Sequence, residues 1–344
     1  MGEAKKEKIF PDDYWHYDKA GAYKNIINFP DYIKKGYSLG EGIKPEPFSN
    51  VVIAGMGGSG IGGDLLKELL EYDQDCPFII ETCKGYDIPK SVKKSTLFIA
   101  ISYSGNTEET LSTYKMASRT GCQVILISNG GKLEELAKFN KHRHIKLPTG
   151  LQPRMAVAHM FFCLLHIMEN TGFTKKYSAE IEDLVNELRR IDLAPKAIDL
   201  SEKCFQKIPL IYADQSQYSI AYRWKTQINE NAKTTAFSHA ISECNHNEIL
   251  AFDNKTADYH CILLNSDKEH RRIKKRFELY KEALQKKHVS VTEIASKGPL
   301  LKQMFTAIYL GDLTSFFLAL RYQTDPTPVV IIEQLKKDMG PFLI

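Results

Sequence analysis

The chain has no Cys-x-x-Cys pair: its seven cysteines, Cys76, Cys83, Cys122, Cys163, Cys204, Cys244 and Cys261, are odd in number and scattered. That excludes a disulfide framework or a clustered zinc site as the basis of the fold, and a reducing compartment is expected. Long apolar runs are also missing. The longest, Met155 to Met168, is interrupted by His159 and His166 and is shorter than the roughly 20 residues of a membrane span, so it reads as a buried helix. No apolar segment follows the charged start Met1-Gly-Glu-Ala-Lys-Lys-Glu-Lys8, so no secretory signal is expected and the cytoplasm is the expected location. Nor does one charge dominate: 46 Lys and Arg face 42 Asp and Glu, a formal +4. Nucleic acid and membrane are therefore not expected as partners. What is present, 43% hydrophobic and 26% charged residues in 344, is the make-up of a soluble globule with room for two domains.

The first 45 or so residues, rich in Tyr, Lys and Pro, read as an irregular arm with a short helix near Ala22 to Tyr37. Apolar runs then recur at Val51 to Ala54, Phe78 to Ile80, Leu97 to Ile101, Val124 to Ile127 and His144 to Leu147, with helical patterns at Ile61 to Leu70 and Glu108 to Arg119 between them. Such alternation predicts an α/β fold whose parallel sheet is covered on both faces. After Pro148-Thr-Gly150 the texture turns helical, at Met155 to Asn170, Ser178 to Ile191 and Pro195 to Gln206. A second alternation follows, with strands at Pro209 to Ala213, Tyr259 to Leu264 and Val289 to Ile294 and helices at Gln217 to Asn231, Lys268 to Gln285 and Leu300 to Leu320. The reading is an arm over 1–45 and two doubly wound domains of similar plan, 46–150 and 151–344.

Two strand-to-helix turns carry the chemistry. Ser102-Tyr-Ser-Gly-Asn-Thr107 follows the run Thr96-Leu-Phe-Ile-Ala-Ile101 and precedes a helix. Free N–H groups and the helix dipole favour an anion at such a place, and Ser102, Ser104 and Thr107 add hydroxyl donors. With no Lys or Arg in the turn, neutral groups would hold a phosphate. The bland alternative is a helix cap, since Asn106 and Glu109 have capping-box spacing. Upstream, Val51-Val-Ile-Ala54 runs into Gly55-Met-Gly-Gly-Ser-Gly60, whose small residues admit a ligand close to backbone. Gly55, Gly57 and Gly60 also match Gly-x-Gly-x-x-Gly, with Glu81 about 20 residues on as a ribose-binding acid would be. A nicotinamide dinucleotide is thus the rival ligand, but it gives no reason for the second turn, and a phosphorylated small molecule is preferred.

Other candidates are weaker by spacing alone. Arg154, in Leu151-Gln-Pro-Arg-Met155, could stabilise an oxyanion or form a surface salt bridge. Glu230, in Ile228-Asn-Glu-Asn-Ala-Lys233, and His246, in Asn245-His-Asn-Glu248, are groups able to move protons, or a helix-end Glu and a hydrogen-bonded His. His159 and His166 read as core or interface residues rather than metal ligands, since no further ligand cluster accompanies them. The basic run Lys268 to Lys287 carries the stripe Ile273, Phe277, Tyr280 and Leu284 and reads as a solvated amphipathic helix.

Taken in order, Gly57-Gly-Ser-Gly60, Ser102 to Thr107, Pro153-Arg154, Asn229 to Lys233, Asn245 to Glu248 and Asp325-Pro-Thr-Pro328 resemble the bifunctional phosphoglucose/phosphomannose isomerase family, over the stretch from Val51 to the C-terminus. The resemblance implies two three-layer αβα sugar isomerase (SIS) domains, a homodimer, no metal and no organic cofactor. By it, Gly58, Ser59, Ser102, Ser104 and Thr107 hold the 6-phosphate, Arg154 faces the reacting carbons, Glu230 is the base and His246 serves ring opening, in its own or a partner's site. The family's C-terminal lysine corresponds to Lys336, with Lys337 as rival, and Thr327 stands where a Thr accompanies tolerance of both C2 epimers. Ala251 and the long arm depart from the pattern. The implied activity is aldose-ketose isomerisation of glucose 6-phosphate and mannose 6-phosphate with fructose 6-phosphate. An oxidoreductase and a non-catalytic sugar-phosphate sensor are the alternatives.

Overall fold

The computed structural model describes residues 10–73 and 76–342. Its first sheet contains β1 (Asn50–Ala54), β2 (Ile79–Cys83), β3 (Thr96–Ile101), β4 (Gln123–Ser128) and β5 (Arg143–Lys146). The spatial order is β2-β1-β3-β4-β5 and every pairing is parallel. Every residue of β3 is buried and so are four of the five in β1, which is why both read as unbroken apolar runs. The chain winds one way from β1 to β2 and the other way from β3 to β5, so the carboxyl ends of β1 and β3 are neighbours at the switch point, where doubly wound sheets leave a crevice. Both turns singled out from the sequence sit there.

The second sheet contains β6 (Ile208–Ala213), β7 (Phe237–Ala240), β8 (Tyr259–Ser266) and β9 (Ser290–Ser296) in the order β7-β6-β8-β9, again parallel. Its switch point lies between β6 and β8. The α/β, doubly wound reading therefore holds for both sheets. Strand β7 and the helix Gly131–Asn140 went unseen in the sequence. Phe237 and His239 are exposed, and a four-residue edge strand carries no apolar run to betray it.

The compact units divide differently from the expected boundary at Gly150. One unit is Asn28–Val185 together with the segment from Ile331; the other is Asn186–Val330 together with the N-terminal residues up to Ile27. The helix Val157–Glu169 is buried everywhere except His166 and packs on the helices Phe29–Leu39 and Gly57–Asp73, so the change of texture after Gly150 marks no break in packing. The arm is likewise more regular than expected, with a short 3-10 helix Asp12–Tyr17 and the helices Ala22–Ile27 and Phe29–Leu39; residues 1–9 of it lie outside the described residues. Pro30 sits at the start of its helix, where it is tolerated. Gly36, an apparent helix breaker, leaves room for backbone, because a Cβ there would lie 2.5 Å from the carbonyl oxygen of Ala158.

In the second unit the helices Tyr218–Ala232 and Leu300–Arg321 pack together. Arg223 donates to both carboxylate oxygens of Asp312 at 3.0 and 2.7 Å, Gln227 donates to Asp312 at 2.9 Å, and Trp224 donates to the Ala307 carbonyl at 2.9 Å. Leu300–Arg321 is long and apolar enough to cross a membrane, but 94% of its most apolar window is buried inside the protein, which marks a core helix. All seven cysteines are free.

Acidic side chains gather at the second switch point, where Asp214 follows β6 and Asp267 and Glu269 follow β8. Burial pushes the Glu269 carboxyl up from 4.5 to about 7, against a hydrogen bond donated by the Ser266 N–H at 2.8 Å. A raised carboxyl pKa means that the folded state binds more protons than the unfolded chain between those values. Stability is therefore lost as pH rises from about 4.5 through about 7. Glu269→Gln should flatten this slope and gain on the order of 1–3 kcal/mol relative to the parent at pH 8 but not at pH 4. Denaturant titrations at the two pH values check it, and parallel pH profiles for parent and variant would contradict it.

Candidate active site

The cradle begins with Ser102, which is fully buried. Its hydroxyl oxygen accepts from the N–H groups of Gly105 at 3.1 Å and Thr107 at 3.4 Å and lies 2.8 Å from the Thr107 hydroxyl. With its lone pairs so engaged, Ser102 is the donor to Thr107, and the Thr107 proton is left to face a ligand. Ser102 thus shapes the turn from within, while Ser104 is exposed and Thr107 half-buried. The helix Glu108–Arg119 begins after Thr107 without any side-chain cap, so no side chain competes for its first amides. Asn106 does not form the alternative cap; its side-chain Oδ1 accepts from the Lys132 N–H at 3.0 Å. Gly105 is obligatory here, with φ +73° and a hypothetical Cβ only 1.8 Å from the Gly130 carbonyl oxygen.

Ser59 joins this turn to the glycine-rich one: its hydroxyl accepts from the Tyr103 N–H at 2.9 Å. Gly58 serves close packing, since a Cβ would lie 2.6 Å from the N and Cα of Arg154. Arg154 itself is 2% exposed, on the 3-10 turn Pro153–Ala156, which rules out the surface salt bridge. Beside the cradle lies a cavity of about 490 Å³ lined by Tyr86, Ser104, Asn106, Thr107, Glu108 and Glu109 and, from the C-terminal segment that includes the helix Val330–Asp338, by Ile332, Leu335, Lys336 and Met339. The turn therefore lacks a cation but its cavity does not. Lys336 rather than Lys337 lines it, a placement visible only once the chain's last helix is known to return to the first sheet.

The remaining candidates belong to the second unit. Glu230 is half-buried near the end of the helix Tyr218–Ala232. The next residue beyond that helix, Lys233, adopts a left-handed conformation, and its ammonium donates to the carbonyls of Glu230 and, at 3.2 Å, Pro326. Thr327 follows in a turn closed by its own N–H donating to Asp325 at 2.9 Å. Lys233 thus ties the Glu230 backbone to the loop bearing Thr327. His246 stands apart, exposed on the turn after the helix Ile241–Cys244, with its N–H donating to the Glu243 carbonyl at 3.0 Å. Nearby, His239 pairs with Glu248 at 3.2 Å and Tyr212 donates to the same carboxylate. His159 is buried among apolar groups, which lowers its pKa to about 4, and His166 donates to the Tyr37 carbonyl at 2.6 Å. Among the described residues no cluster of three His, Cys, Asp or Glu side chains is placed to hold a metal.

Two doubly wound sheets, one with a hydroxyl- and amide-lined crevice at its switch point, define the class of sugar isomerase domain proteins. The family description "Bacterial phospho-glucose isomerase C-terminal SIS domain" matches residues 194–339. The bifunctional phosphoglucose/phosphomannose isomerase of Caldicellulosiruptor bescii is 37% identical over 336 residues, covering 92% of this chain and 98% of that protein. The protein of the same name from Thermoplasma acidophilum is 38% identical over 293 residues, covering 84% and 89%. The crystal structure of tagatose-6-phosphate ketose/aldose isomerase from Escherichia coli superposes with a TM-score of 0.66 at 13% identity, covering 91% of this chain and 97% of the other, a likeness of fold. The chain belongs to the bifunctional phosphoglucose/phosphomannose isomerase family.

The tight seat of Arg154 on Gly58 is open to test by paired substitutions. Gly58→Ala forces backbone apart and should cost about 1–3 kcal/mol. Gly62→Ala, where the nearest atom would be 3.5 Å away, should cost nothing or stabilise the helix by up to about 1 kcal/mol. Thermal unfolding of the two variants separates them, and equal shifts would contradict the packing.

Proposed function

We propose that the chain interconverts glucose 6-phosphate and mannose 6-phosphate with fructose 6-phosphate through a cis-enediolate. The observation that carries this is the cradle at the first switch point, with Ser104, Thr107 and Lys336 around one cavity, in a chain of this family. An ester phosphate fits donors of this number and kind, and its binding energy holds an open-chain sugar in register for proton transfer.

In this reading His246 passes a proton to the ring oxygen while Lys336 takes one from the O1 hydroxyl, and the aldehyde opens. Glu230 removes the C2 proton, Arg154 stabilises the enediolate while a proton passes from O2 to O1, and Glu230 returns the proton to C1. The burial of Arg154 supports its part, because a guanidinium kept from solvent meets developing charge at low dielectric. Gly58 and Ser59 hold the backbone of the cradle. Thr327, tied to the end of the Glu230 helix through Lys233, bears on which C2 epimer is accepted. Nicotinamide chemistry would leave the Ser102 to Thr107 turn without a purpose, and a sensor would have no use for Glu230. A homodimer in the cytoplasm completes the proposal; the free thiols and the exposed position of His246 and Leu250 support it.

A coupled assay offering glucose 6-phosphate and mannose 6-phosphate separately, in the presence of EDTA, should show turnover of both. Absence of turnover with C2 deuterium exchange also absent would leave a binding protein. Glu230→Gln should lower kcat by about 10²- to 10⁴-fold with competitive inhibition by inorganic phosphate retained. A Gln variant of native activity would remove Glu230 from the chemistry.

A further inference from the structure

We propose that Tyr103 is a positioning residue that sets Arg154 against the phosphate cradle; this rests on the isomerase reading above. Tyr103 lies in the middle of the turn, yet its ring points into the protein and is 4% exposed. Its phenol hydroxyl donates to the Pro148 carbonyl at 2.8 Å and accepts from the Leu151 N–H at 3.1 Å. These two bonds bracket Gly150, whose φ of +94° redirects the chain toward the Pro153–Ala156 turn that bears Arg154.

The backbone of Tyr103 is pinned from two other sides. Its N–H donates to the Ser59 hydroxyl at 2.9 Å, and its carbonyl accepts from the Asn129 N–H at 2.9 Å. One residue therefore fixes the start of the glycine-rich helix, the Ser102 to Thr107 turn and the segment leading to Arg154 relative to one another. The phosphate end of a substrate is held by the first two and the developing oxyanion is met by the third, so the phenol sets the spacing between the two ends. Displacements of about 1 Å in such a spacing cost up to about a hundredfold in rate. With its ring buried and its hydroxyl engaged by two backbone groups, Tyr103 acts through the segment it holds.

Tyr103→Phe keeps the ring and deletes both bonds. It should lower kcat about tenfold or more while KM stays within about threefold and the inhibition constant of inorganic phosphate is unchanged. The second readout is a double-mutant cycle with Arg154→Lys, measured as binding of a five-carbon 5-phosphate hydroxamate that mimics the enediolate. Tyr103→Phe should weaken this analogue about tenfold in the parent and less than about twofold in the Arg154→Lys background. A Tyr103→Phe enzyme within twofold of native turnover would overturn the proposal, as would an equal loss of analogue binding in both backgrounds, the mark of a general structural role. Absence of isomerase turnover in the unaltered protein would defeat the functional reading and this inference with it; normal turnover in both proteins would defeat this inference alone.

Discussion

The carboxyl ends of β1 and β3 lie side by side while the connections leaving them run to opposite edges of the sheet, and the rest of the site depends on that placement. Two loops, one rich in glycine and one in hydroxyls, therefore face the gap together. Ser102, buried and saturated, locks one loop into a shape that turns the Thr107 hydroxyl outward. Gly58 lets the other be overlaid by Arg154. Neutral donors supply shape and direction; the one cation named in the cavity, Lys336, arrives from the far end of the chain.

The second sheet repeats the winding with different side chains at its switch point. Where the first offers hydroxyls, the second places Asp214, Asp267 and a protonation-prone Glu269. The buried Glu269 carboxylate is held in part by the backbone N–H of Ser266. The two domains of similar plan have accordingly taken different work. One grips an anion. The other carries Glu230 on a helix anchored by Trp224, Arg223 and Gln227 and joined by Lys233 to the loop of Thr327.

Most of the fold was legible because its signals are local. Buried parallel strands such as β3 announce themselves as apolar runs, and the two turns declare themselves by composition. What was illegible depends on distant packing. The helix Phe29–Leu39 carries Pro30 and Gly36, and only the approach of Ala158 explains the glycine. The edge strand β7 has no period to detect, and the unit boundary is invisible because Val157–Glu169 changes the texture of the sequence while continuing the same core. Among site residues, the close packing of Gly58 on the Arg154 backbone is a long-range contact that no local pattern shows. Tyr103 was passed over because its phenol acts on carbonyl and amide groups 45 and 48 residues away, where no spacing rule reaches.

The central claim is that the anionic end of the sugar is seated on the Ser102 to Thr107 turn by neutral donors, with Lys336 beside it. A crystal structure with fructose 6-phosphate bound tests this most directly. The account expects the phosphorus in the 490 Å³ cavity, with oxygens at hydrogen-bond distance from the Thr107 hydroxyl and the first amides of the following helix. A phosphate seated at the second switch point, or anywhere away from this turn, would contradict it.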